Sequence, residues 1–134
     1  MGETIRIENA VGDTKAYLAP APGTPGAPVL LLHPWWGLNQ SIRDLADRLA
    51  GDGFTVMAPD LFDGTVLATP DEAEAFLTSI GKGDANGGAL TKKRIEASAE
   101  AALDQLLARP DVRGDRAAII GLSMGAGYGH EISA

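Results

Sequence analysis

The chain contains no cysteine. That absence excludes disulfides, thiolate zinc sites and a cysteine nucleophile together. Histidine is scarce as well, with only His33 and His130. Positive charge is in the minority: 11 Lys and Arg against 18 Asp and Glu give a net charge of −7. A phosphate-binding surface needs a basic patch. The densest basic run, Lys92-Lys93-Arg94, reads instead as the solvated face of a helix start. No apolar run approaches the roughly 20 residues of a membrane span. The opening "MGETIRIENA" has no apolar core of signal-peptide length, and Arg6 stands where a myristoylation signal needs Ser or Thr. The expectation from these absences is a cytoplasmic protein without nucleic-acid or membrane partners. No metal or other cofactor is expected.

What is present fits one globular domain, residues 1–134, with 45 % apolar residues. Thr4 to Glu8 and Thr14 to Leu18 alternate and predict an N-terminal antiparallel hairpin. "APAPGTPGAP", Ala19 to Pro28, is a Pro/Gly loop. Val29 to His33, "VLLLH", is an unbroken apolar run, the pattern of a strand buried on both faces. In "SIRDLADRLAGDG", Ile42, Leu45, Ala46 and Leu49 share one helical face, and Gly51 or Gly53 ends the helix. Phe54 to Pro59 is a second buried strand. Strand, helix and strand make one right-handed βαβ unit. Thr69, Pro70 and Glu72 carry a helix-start signature, and Gly81 a stop. "KGDANGGAL" reads as a loop. A longer helix runs from Thr91 to Ala108, with Pro110 just past it. Arg116 to Gly121 is a third parallel strand. Strands alternating with helices give an α/β class.

Three stretches carry chemistry. Gly121-Leu122-Ser123-Met124-Gly125 spells G-x-S-x-G directly after an apolar strand, the strand-to-helix turn that presents a nucleophilic serine. The N–H groups of a following helix suit an oxyanion. The bland alternative is a glycine-rich turn that binds nothing or a phosphate. A dinucleotide site is disfavoured, because "GAGYG" does not fit G-x-G-x-x-G and that turn follows the first strand of such folds. The second stretch, "HPWWGLN" from His33 to Asn39, lies at the carboxyl end of a central strand, where open α/β sheets bind ligands. Its amides are placed to complete an oxyanion hole with that of Met124. Trp35 and Trp36 either wall an apolar acyl pocket or simply pack. The third stretch is "APDLFDG". Its Asp60 reads as a turn cap, because the triad acid follows the serine in α/β-hydrolase chain order.

"LLLHPWWGLNQSIRDLADRLAGDGFTVMAPDLFDG" and "ALDQLLARPDVRGDRAAIIGLSMGAG" resemble the dienelactone hydrolase family of α/β-hydrolases. The two blocks stand in the family's order and separation, and the likeness covers residues 1 to about 128. The resemblance implies a truncated α/β-hydrolase fold: a parallel sheet with an N-terminal antiparallel hairpin, lacking the C-terminal strands. It implies Ser123 as nucleophile and the Trp35 and Met124 amides as oxyanion donors, with Trp36 in the substrate pocket. The reaction implied is hydrolysis of small carboxylic esters or lactones through an acyl-enzyme.

The sequence departs from the family pattern in three places. Serine stands where the family often has cysteine. Pro34 stands where it usually has a glutamate that helps to prime that thiol. Family members also run on to further strands, which bring the catalytic aspartate and histidine. Only eleven residues follow Ser123 here. His130 lies seven residues beyond it, about 10 Å along a helix, against a hydrogen-bond reach of about 3 Å. His33 is expected to be structural rather than a base. A truncated chain of this kind is expected to be weakly active or inactive, and to self-associate through an exposed sheet edge. Two other readings are a split enzyme whose second chain brings Asp and His, and a non-catalytic acyl-binding remnant.

Overall fold

The computed structural model describes residues 2–8, 13–23, 25–81 and 91–122. The elements are β1 (Glu3–Ile7), β2 (Thr14–Ala19), β3 (Ala27–Leu32), α1 (Gln40–Gly51), β4 (Phe54–Pro59), α2 (Pro70–Gly81), α3 (Lys92–Leu107) and β5 (Ala118–Gly121). The five strands form one sheet in the order β1-β2-β4-β3-β5. β1 and β2 are an antiparallel hairpin with Glu3 opposite Leu18, and β2 pairs antiparallel with β4. β3 runs parallel to both β4 and β5. The carboxyl ends of β3, β4 and β5 therefore open on the same edge of the sheet, the edge where α/β sheets bind ligands.

Two-residue periodicity divides the core between the faces of the sheet. Val29 and Leu31 of β3, Val56 and Ala58 of β4, and Tyr17 and Ala19 of β2 pack with Ile42, Ala46 and Ala50 of α1. Leu30 and Leu32, Met57, and Ala16 and Leu18 point the other way, onto Ile95, Ala99, Ala102 and Leu106 of α3. Leu30, Leu31, Leu32, Val56 and Met57 are fully buried, which is why β3 and β4 read as unbroken apolar runs.

The helices begin where their caps dictate. Asn39 Oδ1 accepts the Ile42 N–H at 3.1 Å and starts α1. Thr91 Oγ1 accepts the Arg94 N–H at 3.1 Å and starts α3. Thr69 Oγ1 accepts the Glu72 N–H at 3.2 Å just ahead of Pro70, where a missing N–H costs nothing.

β3 differs from the expectation. It starts at Ala27 rather than Val29, and His33 lies just beyond its last residue, Leu32. Pro28 is thus inside a central strand, opposite Thr55. Alternation explains the tolerance. The Gly26 N–H donates to the Asp111 carbonyl at 2.9 Å on the β5 side, and Leu32 O accepts from Leu122 on that same side. Pro28 shares their parity, so its missing N–H faces a stretch where β5 has not yet begun. β5 itself is shorter than expected, starting at Ala118 rather than Arg116. Its flank away from β3 has no strand among the described residues.

Candidate active site

Two turns leave the open edge of the sheet side by side. After β3, the Gly37 N–H donates to the Pro34 carbonyl at 3.1 Å and closes the turn Pro34-Trp35-Trp36-Gly37. Gly37 has φ +90°, and a Cβ there would lie 2.3 Å from the Thr65 carbonyl oxygen. Only glycine meets both conditions. The next segment is tied to this turn, because the Leu67 N–H donates to the Trp36 carbonyl at 2.9 Å.

After β4, the turn closes on Asp60. Its Oδ1 accepts the Phe62 N–H at 3.2 Å and its Oδ2 the Gly64 N–H at 2.8 Å. Burial pushes the Asp60 carboxyl above its ordinary pKa, and those two N–H bonds oppose the shift. The carboxylate is occupied by its own turn, as a cap. Leu61 and Phe62 turn inward and are each 1 % exposed.

His33 joins the two turns. It is fully buried. Its Nε2 accepts the Leu61 N–H at 3.0 Å, so the ring proton sits on Nδ1, which donates to the Pro34 carbonyl at 2.8 Å. The ring meets Phe62 edge-on at 4.8 Å between centroids. Burial lowers its pKa from 6.5 to about 4. With both nitrogens engaged and the ring sealed in the core, His33 has nothing to offer a serine hydroxyl. It holds the β3 turn to the β4 turn.

Trp35 and Trp36 remain half-buried, with their rings in an edge-to-face pair at 5.5 Å. The Trp35 N–H has no acceptor among the described residues. Trp36 lines an open cleft of about 410 Å³ together with Pro34, Asn39, Ser41, Ile42, Leu67 and Ala68. Sequence reading missed the contribution of Leu67 and Ala68. They belong to a loop without periodicity, and only the hydrogen bond to Trp36 places them. The Asn39 cap was missed as well, although an Asn three residues before Ile42 is the signal that marks it.

Ser123, Met124 and His130 lie outside the described residues. The described chain reaches Leu122, whose N–H donates to the Leu32 carbonyl at 3.1 Å. The chain thus leaves β5 beside the carboxyl end of β3, one residue before His33 begins the Trp35 turn. Among the described residues, no group of three or more His, Asp or Glu side chains gathers to hold a metal ion. No helix of the described residues is long and apolar enough to cross a membrane.

This parallel sheet with its antiparallel entry hairpin is the amino-terminal part of an α/β-hydrolase fold. The structure named m3DLH superposes with a TM-score of 0.75 at 27 % identity, over 98 % of this chain and 53 % of its own. A cold-adapted esterase from an Arctic intertidal metagenomic library gives 0.69 at 25 % identity, over 96 % of this chain and 53 % of its own. The dienelactone hydrolase family model matches residues 14–134, and the chain belongs to that family of hydrolases. A putative carboxymethylenebutenolidase of Aquifex aeolicus is 34 % identical over 83 residues, which are 60 % of this chain and 36 % of the relative. The chain therefore spans about half the length of the solved structures it resembles, and the aligned stretch about a third of that curated relative.

Proposed function

We propose that this chain carries the nucleophile side of a serine hydrolase acting on small carboxylic esters or lactones. Ser123 Oγ attacks the substrate carbonyl. The N–H groups of Trp35 and Met124 receive the oxyanion, and the alcohol leaves with a proton to give an acyl-enzyme. Water then adds to the acyl carbon and releases the acid. Trp36 flanks the group held beside the carbonyl. The observation that carries this reading is positional. The strand leading into G-x-S-x-G ends beside the turn that bears the Trp35 N–H, which has no acceptor among the described residues. Membership of a hydrolase family supports it. A cytoplasmic location accords with the cysteine-free composition.

The general base is not His33, whose two nitrogens are both committed. The base and its aspartate are then residues outside the described ones, and a second reading has another polypeptide bring them. Hydrolysis of p-nitrophenyl acetate by the chain, against its Ser123→Ala variant, tests the first reading. A burst of nitrophenol that the variant lacks is expected, and equal rates in both would refute it. A rate that appears only with a co-purifying second chain would establish the split form.

A further inference from the structure

The cleft beside Trp36 has a consistent chemistry. Its walls are Pro34, Trp36, Ile42 and Leu67, all apolar. The polar side chains among its described lining residues are neutral. Asn39 spends Oδ1 on the Ile42 N–H, which leaves Nδ2 as a donor with no acceptor among the described residues. Ser41 adds an exposed hydroxyl. No Lys or Arg is among the described lining residues. Beyond Ala68 the chain runs into Asp71 and Glu72, in the first turn of α2. At about 410 Å³ the cleft has the size of a small-molecule site. Nearby Val66 is the one large apolar residue exposed among the described residues, at 55 %.

We propose that this cleft holds the uncharged apolar group, aryl or short alkyl, of a neutral ester or lactone and discriminates against substrates with a free carboxylate. This rests on the reading of the chain as an ester hydrolase and adds the substrate's charge and polarity to it. Trp36 and Leu67 remove the apolar group from water. The Asn39 amide and the Ser41 hydroxyl suit a neutral carbonyl or ether oxygen. A carboxylate entering here would lose hydration with no cation among the described lining residues to replace it, and it would approach a chain of net charge −7.

The protein holds its own reporter, because one of its two tryptophans, Trp36, lines the cleft and the other, Trp35, packs edge-to-face against it. Indole fluorescence of the Ser123→Ala chain is titrated with benzamide and, separately, with benzoate, which have nearly the same shape and differ in charge. Benzamide is expected to give a saturable change, with benzoate weaker by at least about tenfold. Equal or tighter binding of benzoate, or no saturable response to benzamide, would overturn the proposal. Ala68→Lys places a cation at an exposed position on the cleft without touching the core. It should bring benzoate to parity with benzamide, and an unchanged preference would show that the ligand sits elsewhere. Both titrations use a chain without its nucleophile. Loss of hydrolytic activity and loss of the cleft's selectivity are therefore separate outcomes.

Discussion

The turns after β3 and β4 start from neighbouring strands, at the same end of one sheet, and spend their polar groups differently. The β4 turn is closed on itself. Its carboxylate accepts its own N–H groups, and Leu61 and Phe62 enter the core. The β3 turn spends its carbonyls, on Gly37, His33 and Leu67, but its Trp35 N–H has no acceptor among the described residues, and its two indoles are only partly buried, Trp36 over a cleft. Proximity to the ligand-binding edge therefore does not mark a residue as functional. Asp60 and His33 are both titratable and both at this edge, yet both nitrogens of His33 and both carboxylate oxygens of Asp60 are engaged by backbone groups of the two turns. The residues available to a ligand are those whose groups remain unspent.

This contrast can be broken by experiment. The largest effect is expected from Phe62→Ala, which empties a fully buried site against His33 and Phe76. It should cost about 3–5 kcal/mol of stability by chemical denaturation. A cost below about 1 kcal/mol would mean that the β4 turn is not part of the core.

Next in size is the link between the turns. His33 titrates near 6.5 when unfolded and at about 4 when folded. Its folded pKa is depressed, so its contribution is fully present above pH 6.5. It is lost as pH falls toward 4, because the unfolded chain takes up the proton first. The loss across that window is about 3 kcal/mol. Asp60, held above its ordinary value, acts in the opposite sense at the acid end, so the slope is clearest in the upper half of the window. Denaturation midpoints between pH 7 and 5 check this, and His33→Gln should flatten the profile. An unchanged slope in that variant would remove His33 as its source.

Trp36→Ala should have the smallest effect, under about 1 kcal/mol, because the side chain is only partly buried. A loss as large as that of Phe62→Ala would make Trp36 a packing residue and erase the distinction between the turns.

Where local rules govern, the sequence reading matched the fold closely. β4 was expected over Phe54 to Pro59 and lies there, because both its faces are covered and its composition says so. Thr69, Pro70 and Gly81 bounded α2 through capping chemistry that acts within a few residues. The dienelactone hydrolase resemblance, carried by two blocks, agrees with the family match. The edges of β3 were harder, since Pro28 is admitted only by the parity of its neighbours, which a one-dimensional pattern does not show. The tie between His33 and Leu61 spans chain segments 28 residues apart. The cleft depends on Leu67 docking on Trp36, and no periodicity announces either contact. The roles of Ser123 and Met124 rest on motif and family rather than on described geometry.

The pairing of β5 with β3 has a consequence for how the molecule assembles. Val29 and Ala118 lie about 90 residues apart in the chain, whereas the β1–β2 hairpin and the β3–α1–β4 unit are closed by much shorter stretches. Loop-closure entropy rises with the length closed, and distant pairings slow folding. The strand that delivers the chain to Ser123 is thus the one whose docking must wait on the greatest length of polypeptide. Where β5 meets the end of β3, the described sheet closes over its longest stretch of chain.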